Sequence, residues 1–166
     1  MNCADDEMSS PLAAKFIASP SFRDYNRGMA AKDLIHDAVK NALIKDGWTI
    51  TADPLRLQYE DVTLLIDLAA ERVLAAERNG VKIAVEIKSF LAPSLLNDLK
   101  VTIGQYQLYL DYLELLEPDR KLYIAVSQVA FKKILSLKGL DVFLEKHKFP
   151  FIVIELEGEE VKQWIN

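Results

Sequence analysis

Cysteine is nearly absent from the 166-residue chain. Cys3 stands alone, so no disulfide framework can form within the chain, and the cytoplasm is the expected compartment. Histidine is scarce too, with only His36 and His147, and no Cys/His metal cluster is present. No apolar run approaches the roughly 18 residues that a membrane-spanning helix needs, so no membrane partner is expected. The opening residues, MNCADDEMSSPLAAKF, carry acids where a secretory leader carries bases. A glycine-rich phosphate loop and a G-x-S-x-G elbow are both missing. Positive charge is in deficit: the formal net charge is -5, which argues against an avid nonspecific coat on nucleic acid but leaves room for a local basic groove.

What is there is a hydrophobic fraction of 51 %, enough to build the core of one domain and too short a chain for two. Residues 1–28 show no sustained period and read as an appendage, with Met29 a candidate natural start; residues 29–166 read as a single domain. From Ala30 to Lys45 the apolar positions Leu34, Ile35, Ala38, Val39, Ala42 and Leu43 recur at helical spacing, and Gly47 supplies the stop. Trp48 to Ala52 and Leu55 to Tyr59 are short and β-rich, parted by the turn-forming pair Asp53-Pro54. Val62 to Leu68 is an apolar run holding one charge, Asp67. Arg72 to Arg78 then leads to Asn79-Gly80, a strong hairpin signal, with Val81 to Lys88 as the partner strand. Ser94 is an N-cap for a long helix that ends before Pro118. Lys121 to Ser127 reads as a buried strand, Ala130 to Lys138 and Leu140 to Lys146 as helices, and Phe151 to Leu156 as a further strand. The fold class predicted is α/β: a sandwich with a central mixed β-sheet flanked by helices. Charge is segregated, with Lys132, Lys133, Lys138, Lys146 and Lys148 ahead of an acidic tail; a solvated helix face accounts for these lysines.

The chemistry concentrates in the strand Val81 to Lys88. Alternation places Glu86 and Lys88 on one face among apolar neighbours, and an unpaired buried charge is costly. Such a strand either pairs the two groups structurally or uses them, commonly with a metal ion that compensates carboxylates. Asp67, on the preceding apolar run, offers a second carboxylate. Two carboxylates can hold Mg²⁺ or Mn²⁺ through oxygen, with Lys88 beside the attacking water or the developing negative charge. The register raises a difficulty. A two-residue turn at Asn79-Gly80 sets Glu86 opposite Val73 and Lys88 opposite Glu71, leaving Asp67 roughly 20 Å away at about 3.3 Å per residue. A bulge at Ala69-Ala70-Glu71 or a different hairpin register would bring Asp67 back; otherwise Glu71 is the second carboxylate. A cross-strand ion pair with Lys88 is the structural alternative for Glu71.

The pattern Asp67, then Glu86-Ile87-Lys88, resembles the D…E-x-K signature of the PD-(D/E)XK nuclease superfamily, with Ile66 where the motif has proline. The resemblance implies a restriction-endonuclease-like sandwich with Asp67, Glu86 and Lys88 catalytic and Asp67 and Glu86 binding metal. Gln105 and Tyr109, four apart on the next helix, resemble the Q-x-x-x-Y element of RecB-type members, which implies that they contact substrate or brace the carboxylates. Asp33, His36 and Asp37 lie on the first helix, where related nucleases often place an accessory ligand; His36 is the weaker metal candidate.

More particularly, Ala-Lys-Asp-Leu-Ile-His-Asp-Ala-Val-Lys (31 to 40), Asp-Leu-Ala-Ala-Glu-Arg (67 to 72), Ala-Val-Glu-Ile-Lys-Ser-Phe (84 to 90), Gly-Gln-Tyr (104 to 106) and Leu-Tyr-Ile-Ala-Val (122 to 126) resemble the XisH family of cyanobacteria, fdxN element excision controlling factors. That resemblance implies a role in programmed DNA excision and recombination beside a site-specific recombinase and an XisI-like companion protein, with DNA as a partner. A metal-dependent DNA endonuclease and a non-catalytic recombination-controlling factor both fit it. A homodimer is left open.

Overall fold

The structure is a computed structural model that describes residues 22–72 and 80–166. The chain divides into two compact units, 1–31 and 32–166. Of the first only the opening of helix α1 is described, and the second holds both sheets.

Helix α1 spans Phe22–Lys45, starting earlier than the segment predicted from Ala30. It stops where the sequence places its stop. Gly47 adopts φ 89°, and the amides of Gly47 and Trp48 donate to the carbonyls of Ile44 and Leu43, so the last turn is closed by a left-handed residue. Trp48, just beyond, folds back into the core beside Leu43.

Strand β1 (Thr49–Ala52) enters a six-stranded sheet. Strands β2 (Leu55–Tyr59) and β3 (Val62–Ile66) then form a separate two-stranded hairpin. The apolar run predicted from Val62 to Leu68 is therefore divided: β3 ends at Ile66, and β4 (Leu68–Arg72) begins in the larger sheet. Asp67 is the corner between the two. Ile66 faces one core and Leu68 the other, so the apolar run continues in sequence while the chain changes sheet.

Strand β5 (Val81–Lys88) pairs antiparallel with β4 and parallel with β6 (Arg120–Ser127). Helix α2 (Leu95–Leu116) makes the crossover, with Ser94 as its N-cap, its hydroxyl accepting from the amide of Asn97. Helices α3 (Gln128–Ser136) and α4 (Leu140–His147) follow, and β7 (Phe151–Glu155) lies parallel to β6. A strand not foreseen in the sequence, β8 (Glu160–Ile165), closes the far edge antiparallel to β7. Its charged residues hide the period-two pattern, as suits an edge strand. The order is β1-β4-β5-β6-β7-β8, a mixed sheet flanked by helices, as predicted.

Alternation along the central strands sorts their side chains into two cores. Ala84, Leu122, Ile124, Val126 and Phe151 pack with Leu99, Tyr106, Tyr109 and Leu113 of α2, with Ala130 and Ile134 of α3, and with the β2–β3 hairpin. Ile83, Val85, Tyr123, Ala125, Ile152 and Ile154 pack with Ile35, Val39, Ala42 and Leu43 of α1. Even-numbered positions of β5 thus face α2, which is where Glu86 and Lys88 point.

Gly47→Ala should lower stability by about 1 kcal/mol, because a Cβ is strained at positive φ. Thermal unfolding should register a fall of roughly 2–4 °C for a chain of this size. An unchanged midpoint would contradict the helix stop described.

Candidate active site

The β4–β5 register settles the geometric difficulty. Leu68 pairs with Val85 and Arg72 with Val81, so the residue across from Glu86 is Asp67. A two-residue turn at Asn79-Gly80 is incompatible with this pairing: residues 73–80 lie between the paired strands, and most of the predicted Arg72 to Arg78 strand, with Asn79, falls outside the described residues. Glu71 stands opposite Lys82, not Lys88. Its backbone is four residues from Asp67, roughly 13 Å at about 3.3 Å per residue, so the register does not bring it to Glu86.

Four side chains meet at the end of β5. Lys88 Nζ lies 2.7 Å from Glu86 Oε1 and donates to Gln105 Oε1, also at 2.7 Å. Asp67 Oδ2 accepts from the backbone amide of Ile87 at 2.8 Å, which holds the corner against β5. The Glu86 side chain is only 5 % exposed, and its second oxygen, Oε2, is buried with no hydrogen-bond partner among the described residues. An unsatisfied buried carboxylate oxygen is costly, commonly by 1–3 kcal/mol or more. Burial raises the Glu86 pKa above the ordinary carboxylate value, and the charge of Asp67 raises it further; the bond and charge of Lys88, and least the nearby backbone amide of Asp67, oppose both.

Helix α2 supplies the far side. Gln105 lines the cleft and tethers Lys88, whereas Tyr109, one turn on, is buried behind the site in the core. Burial, and then the charges of Glu86 and Asp67, push the Tyr109 phenol up to about 12, so it stays protonated beside the acids. Phe90, two residues beyond β5, sits in the left-handed region at φ 49°, a backbone state that costs a non-glycine residue of order 1 kcal/mol and that clusters at functional sites. It turns the chain from β5 toward α2.

These residues open onto a cleft of about 890 Å³, whose lining includes Asp67, Glu86, Lys88 and Gln105, and also Lys32 and His36 of α1. The structure places the His36 ring on the α1 side of the cleft, with its Nε2 2.9 Å from Asp53 Oδ1. Lys40 holds the other Asp53 oxygen at 2.7 Å. Asp53 and Asp98, also in the lining, were not foreseen as site residues. Asp53 reads in sequence as a turn residue before proline, and nothing local tells that β1 delivers it to the same cleft. Asp98 accepts from the Ala92 amide and steadies the loop into α2.

No group of three or more His, Cys, Asp or Glu side chains that could hold an ion occurs among the described residues. The carboxylates that stand together at the end of β5 are the pair Asp67 and Glu86. That suits Mg²⁺, which is commonly held by one or two carboxylates and completes its shell with waters and substrate phosphate oxygens. The orphaned Glu86 Oε2 is the oxygen a hard cation would satisfy.

Fold and cleft together define a mixed α/β protein with a carboxylate–lysine centre at the end of its central strands. The chain belongs to the XisH family, whose profile, described as XisH protein, matches residues 29–162. Two solved structures are similar over nearly their whole length. One is an XisH family protein from Nostoc punctiforme, 36 % identical, with a TM-score of 0.71, covering 80 % of this chain and 99 % of that one. The other is an fdxN element excision controlling factor protein from Anabaena variabilis, 39 % identical, with a TM-score of 0.71, covering 81 % and 99 %. No curated protein matches the chain.

The Glu86 environment carries a stability consequence. With its folded pKa above the unfolded value, the folded protein binds more protons across that window, so stability from this group is full below the ordinary carboxylate value and falls as pH rises through the folded one. Glu86→Gln removes this loss and should unfold at a higher temperature than wild type at neutral pH. At acid pH the two midpoints should converge. A Gln variant less stable at neutral pH would show that the Lys88 pairing outweighs burial.

Proposed function

We propose that the chain is a divalent-metal-dependent endodeoxyribonuclease of the PD-(D/E)XK type that acts in programmed DNA excision. The observation that carries the reading is Glu86: a buried carboxylate with one oxygen bonded to Lys88 and the other unsatisfied, set across from Asp67 in an open cleft. The excision context rests on likeness to the Anabaena variabilis protein, whose description is fdxN element excision controlling factor. A restriction-endonuclease-like label for the sandwich is supported by the mixed sheet and by Asp67, Glu86 and Lys88 meeting at the end of β5.

In this reading Asp67 and Glu86 would hold Mg²⁺ or Mn²⁺ by their carboxylate oxygens. The cation would supply polarisation of the phosphodiester and of the attacking water. Lys88, fixed between Glu86 and Gln105, points its ammonium at the attacking water and the oxygen charge that builds on phosphorus. The water oxygen forms its bond to phosphorus as the bond to the leaving sugar oxygen breaks; the water gives up its proton to solvent and the leaving oxygen takes one up from solvent. Gln105 is a positioning residue for Lys88, and Tyr109 braces the acids from the core as a neutral phenol.

A second reading, a non-catalytic control factor acting with an XisI-like companion, has one observation in its favour. Val101, Leu108 and Leu115 are exposed on α2 at seven-residue spacing, so they form one apolar stripe, which starts at the cleft edge with Val101. Association through that stripe would survive chelation of divalent metal.

Calorimetric titration with Mg²⁺ or Mn²⁺ and a plasmid-nicking assay, on wild type, Glu86→Ala and Lys88→Ala, separate the readings. Expected are metal binding and nicking in wild type, loss of both in Glu86→Ala, and in Lys88→Ala retained metal binding with nicking slower by about 10²–10³. Absence of metal binding in wild type sinks the nuclease reading.

A further inference from the structure

Both sides of the cleft mix cations with acids, Lys88 beside Asp67 and Glu86 on the sheet and Lys32 beside Asp33 on α1. Asp67 and Glu86 stand on the sheet side. The α1 side presents Lys32 and His36, four residues apart and so on one face of the helix. Asp53 lies against this wall, and both its oxygens are engaged, Oδ1 by His36 Nε2 and Oδ2 by Lys40 Nζ. Two consequences follow. The Asp53 charge is offset locally by Lys40, and the His36 ring is held with Nε2 toward Asp53, so that its other nitrogen, Nδ1, is the one that donates to a phosphate oxygen when the ring carries both N–H groups. Asp33 is the remaining acid of α1 in the lining, and Lys32 is exposed to solvent beside it.

A strand whose scissile phosphate sits at Asp67 and Glu86 extends beyond them by its neighbouring phosphates, and the α1 wall lines the same cleft. From this we infer that Lys32 and His36 form a phosphate-contacting wall for the nucleic-acid backbone next to the scissile position, with Asp53 and Lys40 as positioning residues for His36. The inference rests on the nuclease reading and names the substrate contacts of that site. It also gives His36 a role other than metal ligation. It places the phosphate contact on Lys32 and His36 of α1, although the densest lysines in sequence, among them Lys132 and Lys133 of α3, lie outside the cleft lining.

The test is binding of a short fluorescent duplex oligonucleotide by the full chain, with Ca²⁺ in place of Mg²⁺, followed by anisotropy over a salt series. Lys32→Gln should reduce the slope of log K against log salt by about 0.9, the value for one lost phosphate contact. Affinity at low salt should fall about tenfold, as expected for one charged hydrogen bond. His36→Asn should weaken duplex binding to a similar extent with its Mg²⁺ titration unchanged. Asp33→Asn should tighten binding, since it removes a like charge from the phosphate path. Lys132→Gln with Lys133→Gln is the control, expected to leave slope and affinity at the wild-type values. The inference is overturned if Lys32→Gln keeps the wild-type slope, if His36→Asn keeps the wild-type affinity, if the α3 pair carries the slope instead, or if wild type does not bind duplex. The nuclease reading stands or falls separately on metal binding and nicking by wild type and Glu86→Ala.

Discussion

Leu68 opposite Val85 and Arg72 opposite Val81 define an antiparallel register, and the cleft depends on it. That pairing carries Asp67 across from Glu86. A slip by one residue would send every side chain of β4 to the other face and exchange Asp67 for Leu68 at the site. The register is held from both sides: Leu68 is fully buried against the α1 core, Ile66 is fully buried against the α2 core, and the Ile87 amide donates to Asp67 Oδ2. The corner at Asp67 is thus locked by two cores that demand opposite faces.

Within that frame Glu86 is placed where a carboxylate is least comfortable. Its neighbours on β5 are Val85 and Ile87, β6 beside it is apolar, and the parallel strands are covered on both faces. Lys88 relieves one oxygen only. A protein selected for stability alone would place a hydrophobe there, since buried ion pairs are often no more stabilising than apolar substitutes. Keeping Glu86, Asp67 and the left-handed Phe90 together concentrates desolvation, like-charge repulsion and backbone strain in one cleft, the pattern of a site that stability does not explain.

Helix α1 has two tasks divided along its length. Its Ile35, Val39, Ala42 and Leu43 stripe fills the core under the sheet, and Lys32 and His36 border the cleft. The acidic tail also finds structural use. Glu159 takes Asn41 and Lys45 of α1, and Glu155 accepts from the amides of Glu157 and Gly158 in the turn before β8. What reads in sequence as charge segregation is in part a set of turn and helix contacts.

Local chemistry was enough to read much of this chain. The α1 stop at Gly47 follows from one residue's tolerance of positive φ, the α2 start from the Ser94 hydroxyl, and the shared face of Glu86 and Lys88 from the period of a strand, which no tertiary context can alter. The mixed sheet followed from the order of its elements. The pairing of β4 with β5 did not, because Asn79-Gly80 is a strong signal about a turn but says nothing certain about which residues pair beyond it. Register is decided by which apolar positions two separate cores can bury at once, and that depends on α1 and α2 together. For the same reason Asp53, remote in sequence from Glu86, became a cleft residue only when β1 paired beside β4. The sequence by itself determined the elements, their faces and the residue types of the candidate centre; only the tertiary structure decided which carboxylate stands opposite Glu86 and which cations share its cleft, because non-local packing alone sets distances between residues far apart in the chain.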